Sequence, residues 1–237
     1  MLEHKDTFDT LLRVTSEPNN HEVQLFERGQ EYIQKLSKIP GIEMIAIVNS
    51  LSMYATHKDS DIDLFIITKP GMIWFVRFFC TLILWKNWVW RKWEDIASNF
   101  CLSFFITTDA LGLSKIAIEN DIYLYYWIYY MKPIFIKNDT YYRFLESNTW
   151  VKIDENQKME NEKYKINVSD KNWNKRIEFY KKINQFIRYF LLPKTMGSQI
   201  KLWNPEWVII SDMILKFHDQ DRRKKIRDTI LENNFDK

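Results

Sequence analysis

Residues 50 to 68 read Ser50-Leu51-Ser52-Met53-Tyr54-Ala55-Thr56-His57-Lys58-Asp59-Ser60-Asp61-Ile62-Asp63-Leu64-Phe65-Ile66-Ile67-Thr68. Asp61 and Asp63 stand two apart at the head of Leu64–Ile67, a β-branched and aromatic run that predicts a buried strand. Side chains two apart on a strand share a face, so both carboxylates project together from one end of a sheet. Two like charges so placed repel each other unless a cation sits between them. A hard, oxygen-seeking ion such as magnesium suits that pair and leaves part of its coordination to a substrate phosphate.

Working outward, Glu43-Met44-Ile45-Ala46-Ile47-Val48 is a second short apolar run, and it stops at Asn49-Ser50. A strand that ends at small polar residues and turns into a short helix presents free backbone N–H groups to an anion. A third strand is predicted over 100–107, Phe-Cys-Leu-Ser-Phe-Phe-Ile-Thr. Strand, small-residue turn, short helix and Asp-x-Asp strand together resemble the core signature of the nucleotidyltransferase superfamily, the fold of DNA polymerase β and the aminoglycoside nucleotidyltransferases. Ser50 matches that family's turn serine, Ser60 its Ser-Asp-x-Asp form, and Asp61 and Asp63 its metal-binding aspartates. The family's turn glycine is Asn49 here, and its second loop glycine is Tyr54. Asn tolerates a left-handed backbone best among the non-glycine residues, whereas a ring at 54 predicts crowding where phosphates approach.

The resemblance implies magnesium at Asp61 and Asp63, in a site for one ion or two, and a nucleoside triphosphate held through Asn49, Ser50 and Ser60. It also implies a third carboxylate on the next strand, where this chain has Ser103; Glu94, Asp95 and Asp109 lie outside that strand. Asp109 reads as a turn cap.

Composition narrows the field. The chain has 237 residues, 27% of them charged and 46% hydrophobic, which suits a soluble α/β protein with room for a sizeable core. A net charge of +3 gives no strong nucleic-acid signal. Cys80 and Cys101 stand in apolar runs without metal or redox spacing and read as reduced core residues, an expectation that fits a cytoplasmic protein without a signal peptide. His57 and His218 are isolated and make no zinc site.

Residues 72–93 are the most apolar part of the chain, but the run free of charge between Arg77 and Lys86 is only eight residues, against the ~20 needed to span a bilayer. A helix packed on the sheet is the favoured reading; an interfacial helix giving peripheral membrane contact is the other. Lys69-Pro70-Gly71 followed by a long apolar helix carrying Arg77 also resembles a little-studied bacterial branch of the superfamily, over the first ~150 residues.

The remaining elements predict an α/β chain in three parts. Residues 1–152 form the nucleotidyltransferase-like domain: a helix over Val23–Lys38, a small mixed sheet, and the aromatic-rich 121–131 stretch as core. Residues 153–172 read as a polar linker, and 173–237 as a C-terminal helical region. In it an amphipathic helix over 173–192 buries Ile177, Tyr180, Ile183, Phe186, Ile187, Phe190 and Leu191 and stops at Pro193. Pro205 opens another helix through Phe217, and a last helix runs over 221–232; its basic run Asp221–Arg227 reads as a solvated face, with a hold on a phosphate-bearing partner as the other reading. The function expected is metal-dependent transfer of a nucleoside monophosphate to an acceptor hydroxyl of unknown identity. The alternative is a catalytically degenerate fold kept as a nucleotide- or partner-binding module.

Overall fold

The computed structural model of the chain describes residues 2–87, 89, 99–166, 176–201, 208–217 and 222–232. The β-branched runs form β1 (Ile42–Val48), β2 (Ile62–Thr68) and β3 (Phe100–Thr107), as the sequence predicts. Three further strands, β4 (Lys132–Ile136), β5 (Val208–Ile210) and β6 (Ile214–Phe217), complete a sheet of order β4-β1-β2-β3-β6-β5. The β1–β2 and β1–β4 pairs are antiparallel, β2–β3 is parallel, and β6 runs antiparallel to both β3 and β5. The fold is mixed α/β.

Alternation along the strands divides the core between two faces. On one face Ile45, Ile47, Leu64, Ile66 and Phe105 pack under α2 (Asn20–Leu36), α4 (Ile73–Lys86) and α8 (Ile177–Lys201). On the other, Met44, Ala46, Phe65, Ile67 and Ile106 pack under α1 (Lys5–Leu12), α5 (Ile122–Tyr130), α6 (Thr140–Glu146) and α9 (Arg223–Glu232). Phe65 centres the second layer, its ring 5.0 Å from Phe104, 5.1 Å from Trp127 and 5.6 Å from Phe144. Asp61 and Asp63 share the parity of Phe65, so their carboxylates head the same face.

Helix α2 begins at a capping box. The Asn19 side chain accepts from the Glu22 N–H, and the Glu22 carboxylate accepts from the Asn19 N–H. Glu22 is fully buried, and its other oxygen accepts from the backbone N–H and hydroxyl of Thr56 at 3.0 and 2.9 Å, tying the loop before the aspartates to the helix.

Several expectations need correction. The described part of 205–217 holds strands, not a helix: Ile209, Ile210, Ile214 and Leu215 are β-branched or apolar residues flanking a Ser211-Asp212-Met213 turn. The predominantly helical 173–237 stretch thereby adds a hairpin to the edge of the sheet. Pro193 lies inside α8 and does not end it; the carbonyl it leaves unbonded is that of Tyr189, on the solvent side of the helix, where water can satisfy it. Phe186 and Phe190 are exposed, flanking the inward row of Ile183, Ile187 and Leu191. Within 153–172, α7 (Glu155–Glu162) docks onto the core: buried Asn161 donates to the Tyr129 carbonyl at 2.8 Å, and beyond it Ile166 N–H donates to Ile134 O at 2.8 Å along the edge of β4. Pro133 is tolerated in β4 because that strand is outermost.

No helix among the described residues is long and apolar enough to cross a membrane. Most of 72–87 is the core helix α4; Trp88 and 90–98, with Glu94 and Asp95, lie outside the described residues.

Candidate functional site

Strand β1 delivers the chain to a single turn of helix, α3 (Asn49–Ser52). The backbone there is left-handed at two non-glycine positions, Asn49 with φ 58° and Tyr54 with φ 50°. These are the two positions at which the superfamily pattern has glycine, so the conformation glycine would supply is adopted without it. Asn49 is held by its own side chain, whose Oδ1 accepts from the Tyr123 hydroxyl at 3.2 Å. Tyr54 carries the greater strain, and burial offsets it. Its ring packs edge-on to Phe26 at 5.9 Å, its hydroxyl donates to Glu160 Oε1 at 2.5 Å, and the Lys132 ammonium lies 4.9 Å from its centroid. The ring therefore belongs to the α2 side of the sheet and does not obstruct the loop, contrary to what its size alone suggests.

The loop from 55 to 60 is fixed locally. Ser60 Oγ accepts from the His57 N–H at 2.8 Å, and the Ser60 N–H donates to the His57 carbonyl at 3.0 Å. This turn delivers Asp61 into β2.

Asp61, Asp63 and Cys101 converge: one ligand atom from each lies within 4.8 Å of the others. The register explains the trio, since Asp63 pairs with Cys101 across β2 and β3. A bulge follows before Phe65 meets Phe104, and both Cys101 and Ser103 line the cleft beside the aspartates. Cys101 is thus a cleft residue and not a core one, and it, with Ser103 further along, stands where the resemblance implies a third carboxylate. Asp109 is exposed in a turn after β3 and does not line the cleft.

The cleft has a volume of about 420 Å³. One wall is the site predicted from sequence, with Asn49, Ser50, Ser60, Asp61 and Asp63 together. Aromatic side chains of Tyr123 and Trp127 from α5 and Phe217 from β6 line it further. The cleft is also lined by Lys216 of β6, which the sequence reading leaves out, and by Arg222 and Arg223 at the start of α9, which correct the expectation that their basic run is only a solvated face. Arg223 is buried and oriented by an ion pair to Asp121 at 2.8 Å and by donation to the Ile116 carbonyl at 2.9 Å. Their signal was the Arg222-Arg223 pair, legible in sequence only once 214–217 is recognised as a strand that brings the following residues back to the sheet.

The donor set fits a hard divalent cation through Asp61 and Asp63, which supply two carboxylates and leave positions to water or phosphate oxygens. The Cys101 thiol is a softer donor and would favour ions such as manganese, cobalt or zinc over magnesium at such a site. No family model, no curated protein and no solved structure matches this chain.

Proposed function

We propose that this protein is a metal-dependent nucleotidyltransferase that moves a nucleoside monophosphate from a nucleoside triphosphate to an acceptor hydroxyl. The observation that carries the reading is the convergence of Asp61 and Asp63 in a cleft that also holds Ser50 of the left-handed turn. Magnesium bound there would orient the triphosphate and offset charge on the leaving group. Ser50 offers a hydroxyl to the terminal phosphates, Asn49 sets the turn, and Ser60 fixes the loop that aims the aspartates. Lys216 and Arg222 add positive charge to the opposite wall, which suits a polyanionic substrate. In the reaction the acceptor oxygen bonds to the α-phosphorus, the bond to the β-phosphate's bridging oxygen breaks, and pyrophosphate leaves; the hydroxyl proton passes to solvent.

A second reading has one observation in its favour. Cys101 and Ser103 occupy the place of a third carboxylate, which suits a fold that binds nucleotide without turning it over.

Calorimetric titration with each nucleoside triphosphate, with and without magnesium, tests both. Magnesium-dependent binding that Asp61→Asn removes, together with pyrophosphate release in the presence of an acceptor, is the expected result. Binding that is indifferent to magnesium and to Asp61→Asn would sink the metal site. Magnesium-dependent binding with no pyrophosphate release over a panel of acceptors would favour the binding module.

A further inference from the structure

Helix α8 is apolar on both sides. Its inner row, Tyr180, Ile183, Ile187 and Leu191, packs against the core, and buried Asn184 accepts from the Phe75 N–H at 2.8 Å to fix α8 across α4. Its outer row is aromatic: Phe179 is 62% exposed, Phe186 65% and Tyr189 75%, with Phe190 and Met196 beside them. Elsewhere, on α4, Trp85 is 62% exposed. Helical spacing puts residues 179, 182, 186, 189, 190, 193 and 196 on one stripe, so these exposures form a continuous band. A monomer gains nothing from displaying such a band to water.

Charge tells what covers it. From 177 to 197, α8 carries Lys181, Lys182, Arg188 and Lys194 against the single acid Glu178. Glu178 is taken up by Lys181 at 2.7 Å, and Arg188 pairs with Asp212 on the β5–β6 turn. Lys182 stands within the aromatic stripe itself. Aromatic rings interleaved with lysine at the rim of an apolar helix face are the composition of an interfacial helix, rings at headgroup depth and ammonium groups toward anionic headgroups. A second copy of the chain docked helix to helix would bury Lys182 within the contact, and lysine is depleted from the centres of protein–protein interfaces. We infer that the outer face of α8 seats the protein on an anionic lipid bilayer surface without crossing it. The cleft lies under the opposite layer of helices, so a seated molecule keeps it open to solution. The inference is independent of the nucleotidyltransferase reading.

The test is flotation of the purified full chain with vesicles. Recovery with equimolar phosphatidylcholine and phosphatidylglycerol, falling as salt is raised, and no recovery with phosphatidylcholine alone, are expected. The triple variant Phe186→Ser, Tyr189→Ser, Phe190→Ser should lose at least tenfold in vesicle affinity, and Lys182→Glu should weaken it severalfold. Both variants alter exposed side chains, so thermal melts matching wild type accompany that result. Failure of wild type to float, or equal flotation with both lipids, would overturn the inference. So would a concentration-dependent dimer in solution that the triple variant turns into a monomer, since that would assign the band to a second copy.

Discussion

Tyr54 shows how a single residue reconciles two demands. Its backbone holds the left-handed conformation that a close turn needs, and its side chain, forced by that backbone to leave the loop, reaches Phe26, Lys132 and Glu160. The two contributions can be separated by magnitude. Replacing a buried aromatic costs about 3–5 kcal/mol, while releasing a non-glycine residue from the left-handed region returns about 1–2 kcal/mol. Packing wins, and Tyr54→Gly is expected to lower stability in urea denaturation by roughly 2–3 kcal/mol while leaving magnesium-dependent nucleotide binding in place. Loss of binding in a still-folded Tyr54→Gly protein would show that the ring serves the site. Asn49→Gly sets a relieved turn against one lost hydrogen bond from Tyr123, each near 1 kcal/mol, so the net change in stability should fall within about 0.5 kcal/mol of zero. At Cys101 the expectation concerns ion choice. Cys101→Asp supplies the missing hard donor, so nucleotide binding should shift toward magnesium and away from manganese or cobalt, read as a change in the ratio of their half-saturating concentrations. An unchanged ratio would place Cys101 outside the coordination sphere.

At the scale of elements, legibility followed periodicity. The runs that became β1, β2 and β3 are each seven or eight residues, mostly apolar and rich in β-branched and aromatic side chains, and they are legible from the chain alone. With them came Asn49, Ser50, Ser60, Asp61 and Asp63, because local spacing sets where a turn and a strand head point. Strands β5 and β6 are three and four residues long, with Pro205 before them and Asp212 and Lys216 among them, so a helical pattern competes for the same residues. Lys216 is missed with them and the Arg222-Arg223 pair reads as solvated, since the pairing of β6 with β3 that brings this part of the chain to the cleft is a contact more than a hundred residues away in sequence. Asp121 concentrates that long-range order. Its oxygens cap α5 at the Leu124 N–H, accept from the Ile118 N–H, and pair with buried Arg223 at the start of α9. Asp121→Ala uncaps one helix and leaves a buried guanidinium without its carboxylate, a change worth about 3–5 kcal/mol. Chemical denaturation should show that loss. A loss under about 1 kcal/mol, the value of a cap alone, would mean that Arg223 turns to solvent when released.

For the molecule as a whole, buried ionisable groups set an alkaline response with a definite sign. Lys132 on β4 is almost wholly buried, and desolvation pulls its ammonium down from 10.5 to about 8, against the opposing pull of Glu160 at 3.3 Å. Between those values the unfolded chain holds a proton that the folded chain has released, so this group makes stability rise with pH from about 8 to 10.5. Other buried groups act the opposite way. Burial raises the Cys80 thiol and the Tyr54 and Tyr130 hydroxyls, and lifts Tyr141 to about 12, so the folded chain keeps protons that the unfolded chain sheds at high pH. Those groups bring a fall at alkaline pH that overlays the lysine's rise. The lysine's share is isolated by difference against Lys132→Met, which keeps the stem of the side chain and removes the charge. The stability of wild type relative to that variant should increase from pH 8 to pH 10, at no more than ~1.4 kcal/mol per pH unit, while the fall driven by Cys80, Tyr130 and Tyr141 is common to both. Denaturation midpoints taken at half-unit steps across this range measure it. A difference that stays flat from pH 7 to 10 would mean that Lys132 keeps its proton in the folded protein, and that the ion pair with Glu160 outweighs the cost of burying it.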